Sequence, residues 1–587
     1  MREGAFLMRT GRLYFKIFLL YIMVATGTIA FYGNPDRSAI QAAAAARDTQ
    51  QTEAAEPDSE GGPVVDTHAG KVRGTRSESG IYSFLGVPYA APPVADLRFM
   101  PPRRHAGWDD VRDATEYGAT APQLPSGEPL AGLYPNVMIP GDDYLNLNIW
   151  TRDLNGKQPV MVFIHGGSFI SGSGAIAGYD GSSFARDGVV LVTINYRLGA
   201  DGFLWFGEGE ANLGLLDQIA ALEWVRDNIE AFGGDPSSVT LFGESAGASS
   251  IGTLLAMPSA DGLFRRAIME SGTAEDAVSV DSAKAVANQL ADILGVARSR
   301  EAIAEVSTAR LLEAQKKVDG DQGLPFVPVI DGKTLKESPI AAIEGGASAE
   351  IDLMVGNNSE EAFLLFAPQG KMHKVSKLHF YLAAYTLRVP ALKAADVYYN
   401  ARSDARDVDV VNDLITDAKY RIPSILLAQS IPNSYVYEFS WHSPAFDDEL
   451  GAAHGVELPF VFDHITSQDW HAITGGVAPQ ELASEVHRAW VNFAKTGNPG
   501  WEAYTADKRV VKMFGTDSKV VENPHAAATQ FWQELSWEGS HTNPNAGLLA
   551  AGIGIVIGIP LLLIGLLIFM WRRRKKRRQP RKRDALR

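Results

Sequence analysis

Between about residues 64 and 538 the apolar positions of the chain alternate between two kinds of pattern. Short unbroken apolar runs, such as 159–164 (P-V-M-V-F-I) and 189–195 (V-V-L-V-T-I-N), lack the in–out alternation of a half-exposed strand and read as strands buried on both faces. Other stretches place apolar residues every three or four positions. The clearest is 213–232, where Leu215, Ile219, Leu222, Trp224, Val225 and Ile229 hold helical spacing until Gly233-Gly234-Asp235-Pro236 stops it. A strand is expected immediately afterwards at 239–242, with later strands at 266–270 and 351–355 and a helix at 482–495. This succession predicts an α/β fold around a mostly parallel sheet. Two segments, 280–317 and 376–430, are mostly helical and poorly patterned for a sheet, and are expected as insertions that roof an active site. No internal repeat is evident.

Both ends depart from this pattern. Residues 546–571 form a charge-free apolar run of 26 residues, which as a helix would reach nearly 40 Å at about 1.5 Å per residue, enough to cross a bilayer core of roughly 30 Å. Pro560 and five glycines within it are costly in a water-soluble helix and tolerated in a membrane. The tail 572–587 holds eleven basic residues and one acid, so the other 571 residues carry −25 rather than the −15 of the whole chain. A basic tail beside an apolar run is expected to face the cytoplasm, which puts the acidic body on the opposite, periplasmic or extracellular, side. Four basic residues (Arg2, Arg9, Arg12, Lys16) precede an apolar stretch at 17–31, so residues 1–37 read as a signal peptide or an uncleaved signal anchor; either one exports the body. Residues 38–62, with no aromatic side chain, read as a flexible linker. The expected division is therefore 63–538 for the α/β domain, 539–545 for a linker, 546–571 for a transmembrane helix and 572–587 for the tail. An acidic body argues against a nucleic-acid partner.

Cysteine is absent, which excludes thiol catalysis and cysteine-bound metals, and the twelve histidines show no metal-ligand spacing. The chemistry concentrates instead at Val239–Gly247, V-T-L-F-G-E-S-A-G, where an apolar run turns sharply at Ser245 into a small-residue helix. Such a turn lifts a hydroxyl out of the backbone on a G-x-S-x-G motif. A serine needs a base to take its proton, an acid to orient that base, and donors for the developing oxyanion. Where a G-x-S-x-G turn carries the nucleophile, the acid and then the histidine follow the serine in the chain, while a glycine-rich loop precedes it. His165-Gly166-Gly167-Ser168 at the end of the 159–164 run supplies such a loop. Downstream, spacing alone does not choose among the many acids and histidines.

Several local motifs resemble the type-B carboxylesterase family, which includes cholinesterases and bacterial para-nitrobenzyl esterases. They are Phe84-Leu85-Gly86-Val87-Pro88-Tyr89-Ala90 with Pro92-Pro93 and Leu97-Arg98-Phe99, then Leu145–Trp150, Thr193–Gly199, Asn212–Gln218, Phe232–Pro236 and Thr240–Gly247. The likeness spans roughly 64–538 and implies the α/β-hydrolase fold. It places the nucleophile at Ser245. Gly356-Asn357-Asn358-Ser359-Glu360-Glu361 matches the family's acid segment and implies Glu361, with Glu360 as its exposed neighbour and alternative. Ala453-His454-Gly455-Val456-Glu457-Leu458-Pro459-Phe460 implies His454 as the base. The oxyanion hole implied is the backbone N–H groups of Gly167, Ser168 and Ala246. Glu244 is expected to shape the site electrostatically and Ser271 to hydrogen-bond the acid.

The chain also departs from the family pattern. Members often close a loop near the active-site gorge with a disulfide; here Ala121 and Tyr144 stand at those places, so the loop must be ordered otherwise. Residues 122–143 contain no tryptophan, so a choline-stacking platform is not implied. The expectation is a membrane-anchored serine carboxylesterase acting on small-molecule esters, with no cofactor and no metal and an oligomeric state left open. The alternatives are a neuroligin-like, non-catalytic adhesion protein on the same fold, and lipase or amidase specificity.

Overall fold

The computed structural model describes residues 61–541 apart from 126, 128, 129 and 321–323. The chain divides into two units, Met1–His525 and Ala526–Arg587; in the second, the described part is the helix Ala526–His541. No helix among the described residues is long and apolar enough to cross a membrane. The expected signal segment, linkers, transmembrane run and basic tail lie outside the described residues, except for Gly61 and Gly62 at the end of the linker at 38–62 and the first three positions of the linker at 539–545, which continue that helix.

The first unit is built on an eleven-stranded sheet among the described residues. In chain order its strands are β1 (Thr75–Arg76), β2 (Tyr82–Pro88), β3 (Asn146–Thr151), β4 (Gln158–Ile164), β5 (Val190–Ile194), β6 (Gly234–Glu244), β7 (Arg266–Glu270), β8 (Asp352–Asn358), β9 (Ser434–Phe439), β10 (Val510–Phe514) and β11 (Lys519–Glu522). In space they run β11-β10-β9-β8-β7-β6-β4-β5-β3-β2-β1. From β5 to β10 every neighbouring pair is parallel. The edges, β3 against β5 and β10 against β11, are antiparallel.

The runs expected to be strands are strands, and their lengths follow from pairing. Residues 239–242 form the apolar centre of β6, which begins earlier, at Gly234, because Gln158 of β4 pairs there. The glycine stop after the helix is thus also the start of a strand. The helix expected at 213–232 is α1 (Leu213–Asn228) followed by a tight turn, Ile229–Phe232, which ends at Gly233 with φ 77°. α1 is tied to the end of β5 by a pair buried on both sides. Arg197 donates to Asp217 through Nε at 2.8 Å and Nη2 at 2.7 Å, and its backbone N–H reaches the same carboxylate at 3.0 Å. Paired this fully, both charges tolerate burial.

The two poorly patterned segments are helical. The first contains Val280–Leu294, Arg300–Ala304 and Thr308–Gln315. The second contains Lys377–Thr386, Ala391–Ala401, Asp407–Thr416 and Ile422–Ser430, with one wider turn at Asp417–Arg421. Under the sheet's active end an aromatic cluster joins distant pieces of chain. Phe163 of β4, Phe242 of β6 and Phe462 have ring centroids 4.9 to 5.8 Å apart. Each such pair contributes about 0.5–1.5 kcal/mol beyond area burial. Phe462 lies eight residues beyond His454, so this packing docks the histidine segment against the strand that leads to Ser245.

Candidate active site

β6 leaves the sheet at Glu244, and Ser245 takes φ 54° and ψ −121°, a region that costs a residue with a side chain about 1–3 kcal/mol. Helix α2 (Ala246–Leu254) begins at the next residue, so strand becomes helix across one position. The turn closes against β4. A Cβ on Gly243 would stand 2.6 Å from the Ile164 carbonyl oxygen, and one on Gly247 1.9 Å from it. Glycine at both positions is therefore a steric requirement. The Ser245 N–H donates to Glu270 O of β7 at 2.9 Å, fixing the strained residue to the neighbouring strand.

Glu361 begins a short turn three residues after β8 and is buried. Three donors converge on its carboxylate. Oε1 accepts from the Ser271 hydroxyl at 2.6 Å and from the Asn358 N–H at 2.7 Å; Oε2 accepts from His454 Nδ1–H at 2.6 Å. Asn358 also donates through Nδ2 to Ala453 O at 2.7 Å and to Glu457 Oε2, so one side chain binds the acid segment to the histidine segment. Glu360 faces elsewhere. Its Oε2 accepts from Ala452 N–H at 2.9 Å and lies 3.2 Å from His442 Nε2, with its side chain 14% exposed, so it is not the exposed neighbour the sequence implied.

The other ring nitrogen, His454 Nε2, lies 3.2 Å from Glu244 Oε1. Ser245 Oγ makes no hydrogen bond among the described residues, so the imidazole sits between two carboxylates, one of them adjacent in sequence to the serine. Burial draws the imidazole pKa down, but Glu244 and Glu361 outweigh it and hold it above its ordinary value. Glu244 is itself raised by burial, with His454 opposing and Glu361 adding to the shift. The Tyr420 ring, from the second helical segment, lies 5.2 Å from the imidazole centroid and brings that insertion onto the site.

Beyond β4, Gly167 has φ 108° and Ser168 and Phe169 have φ 55° and 61°, so the loop turns tightly over the serine. The N–H groups of Gly167 and Ser168 meet no acceptor among the described residues, and Ser168 is exposed. Ala246 opens α2, where the first N–H groups of a helix have no acceptor within it. His165 is structural in its contacts: burial lowers its pKa to about 4, its Nδ1–H donates to Gly166 O at 2.8 Å, and its ring stacks on Tyr196 at 4.6 Å. No group of three or more His, Asp or Glu among the described residues could hold a metal.

No local sequence signal marks Asn358, Tyr420, Glu457 or Glu270 as part of the site. Glu457 and Glu270 are buried acids raised well above the usual carboxylate range by burial first and by neighbouring carboxylates second. Asn358 and Glu457 stood inside the acid and histidine motifs, but nothing in their spacing says that they meet.

Residues 61–532 match the family model described as the carboxylesterase family. The chain belongs to the carboxylesterase family. Among curated relatives, this carboxylesterase is 39% identical to the para-nitrobenzyl esterase of Bacillus subtilis over 80% of its own length and 98% of that protein. It is 36% identical to the phenmedipham hydrolase of Pseudarthrobacter oxydans over 78% and 96%. Among solved structures, a carboxylesterase of Geobacillus stearothermophilus superposes with a TM-score of 0.72 at 36% identity, covering 80% of this chain and all of that one. The fold is accordingly that of the α/β-hydrolases, and the protein is a carboxylic ester hydrolase.

Proposed function

We propose that this carboxylesterase cleaves small-molecule carboxylic esters through an acyl-enzyme formed on Ser245, and that residues 546–571 anchor it to a membrane with the enzyme domain exported. The observation that carries the catalytic reading is the imidazole of His454, held through Nδ1 by the buried Glu361 carboxylate beside the strained turn at Ser245. For the reaction to proceed, Nε2 passes from Glu244 to the Ser245 hydroxyl. It then takes that proton as Oγ attacks the ester carbonyl carbon and the carbonyl electrons move onto oxygen. The N–H groups of Gly167, Ser168 and Ala246 receive the oxyanion. The imidazolium, balanced by Glu361, protonates the leaving alcohol as the C–O bond breaks. Water then attacks the acyl-enzyme, His454 taking its proton and returning it to Ser245 as the acid departs. Each oxyanion donor is worth roughly a hundred- to a thousandfold in rate.

The anchor reading is supported by the 26-residue apolar run and the basic tail beside it. Ser245→Ala tests the chemistry. The variant should express and fold as the parent does, lose turnover of an activated ester, and no longer be labelled by an organophosphonate. Turnover near that of the parent would refute the acyl-enzyme.

A further inference from the structure

The backbone of the histidine segment is held at three successive carbonyls. Ala452 O accepts from Glu360 N–H at 3.0 Å, Ala453 O from Asn358 Nδ2 at 2.7 Å, and His454 O from the Tyr134 hydroxyl. The first two donors lie within three residues of Glu361 and belong to the segment that already fixes Nδ1. The third comes from the loop between Ala121 and Tyr144, which carries no cysteine.

The described residues of that loop make polar contacts at its neck and on its flank. Thr120 N–H donates to Ile139 O at 3.0 Å, and Ile139 N–H donates back to Thr120 Oγ1 at 3.0 Å. The Gln123 amide pairs with both backbone groups of Gly172: Nε2 donates to Gly172 O at 2.8 Å and Oε1 accepts from Gly172 N–H at 2.9 Å. Gly172 lies five residues beyond Gly167, in the same loop as the amides that would hold the oxyanion. One cysteine-free loop therefore touches the backbone of the base at one point and the oxyanion loop at another.

We propose that Tyr134 is a positioning residue for His454, and that with Gln123 it makes this loop a brace between the base and the oxyanion amides. The inference rests on the acyl-enzyme reading above. A side chain tied at Nδ1 alone still swings as its backbone shifts; tied also at its own carbonyl, it presents Nε2 from a fixed place. Near-attack geometry is sensitive to displacements of an ångström or less, so a brace of this kind acts on turnover rather than on binding. Burial, with Glu244, Glu457 and Glu361 nearby, holds the Tyr134 hydroxyl well above its ordinary pKa, so it remains a donor.

The test uses the full chain and Tyr134→Phe, which keeps the ring and removes the donor. The expected result is a kcat for a p-nitrophenyl ester about five- to tenfold lower, as for loss of one hydrogen bond. KM should stay within about twofold, and organophosphonate labelling of Ser245 should slow by the same factor as kcat, both at temperatures well below melting. Gln123→Ala should also lower kcat, and the double variant should fall short of the product of the two losses, because both cut one connection. A parental kcat and labelling rate in Tyr134→Phe, a change confined to KM or to the melting temperature, or fully multiplicative losses would overturn the proposal. Ser245→Ala, run alongside, separates the two readings. If it keeps its turnover the acyl-enzyme itself fails; if it is silent while Tyr134→Phe matches the parent, only the brace fails.

Discussion

Glu244→Gln removes one negative charge beside the imidazole and keeps the side chain's shape. Glu244 Oε1 lies 3.2 Å from His454 Nε2, with the two side chains 8% and 15% exposed. At an effective dielectric of about 20, unit charges at that distance attract by roughly 5 kcal/mol, close to 4 pKa units. That figure is a ceiling. The carboxylate charge is spread over two oxygens, and burial raises the pKa of Glu244 itself, so the group is only partly ionised near neutrality. The sign is set by the balance at His454: burial favours the neutral ring, and Glu244 with Glu361 favours the imidazolium strongly enough to win. The acid limb of kcat/KM reports protonation of the free enzyme's base. Removing one of the two stabilising charges should therefore move that limb to lower pH, by at least about one unit. The assay is p-nitrophenyl ester hydrolysis from pH 5 to 10, parent and variant in the same buffers at constant ionic strength. A limb that stays in place, or moves upward, would show that Glu244 does not govern the protonation of His454.

Two further outcomes follow from the packing. Asp217→Asn leaves the buried Arg197 guanidinium without its counter-charge and should cost about 3–5 kcal/mol in urea unfolding; a loss under 1 kcal/mol would mean that the pair is not held as described. Gly247→Ala places a methyl 1.9 Å from the Ile164 carbonyl oxygen at the serine turn, so it should destabilise by at least about 2 kcal/mol and lower kcat together with stability. Parental stability and turnover in that variant would contradict the close approach of α2 to β4.

The sequence by itself determined the layered architecture, because runs such as 159–164 and 189–195 have no polar side for water and must be buried between helices. It also located the turn at Ser245, since glycines two residues to either side are a local demand of one chain crossing another. The acid and histidine segments were legible only as likenesses to a family; the spacing from 245 to 361 to 454 encodes no contact. Tertiary structure decided the rest. Parallel pairing with β4 extended β6 back to Gly234, through residues that look like a helix stop when read alone. The convergence of Ser271, Asn358 and His454 on one carboxylate, the approach of Glu244 to Nε2, and the reach of Tyr134 to His454 O each join residues from 3 to 320 positions apart. A hydroxyl or an amide at one position is chemically the same whether it meets water or a buried carbonyl. Its partner is chosen only when the sheet order brings distant loops to the same end of the strands.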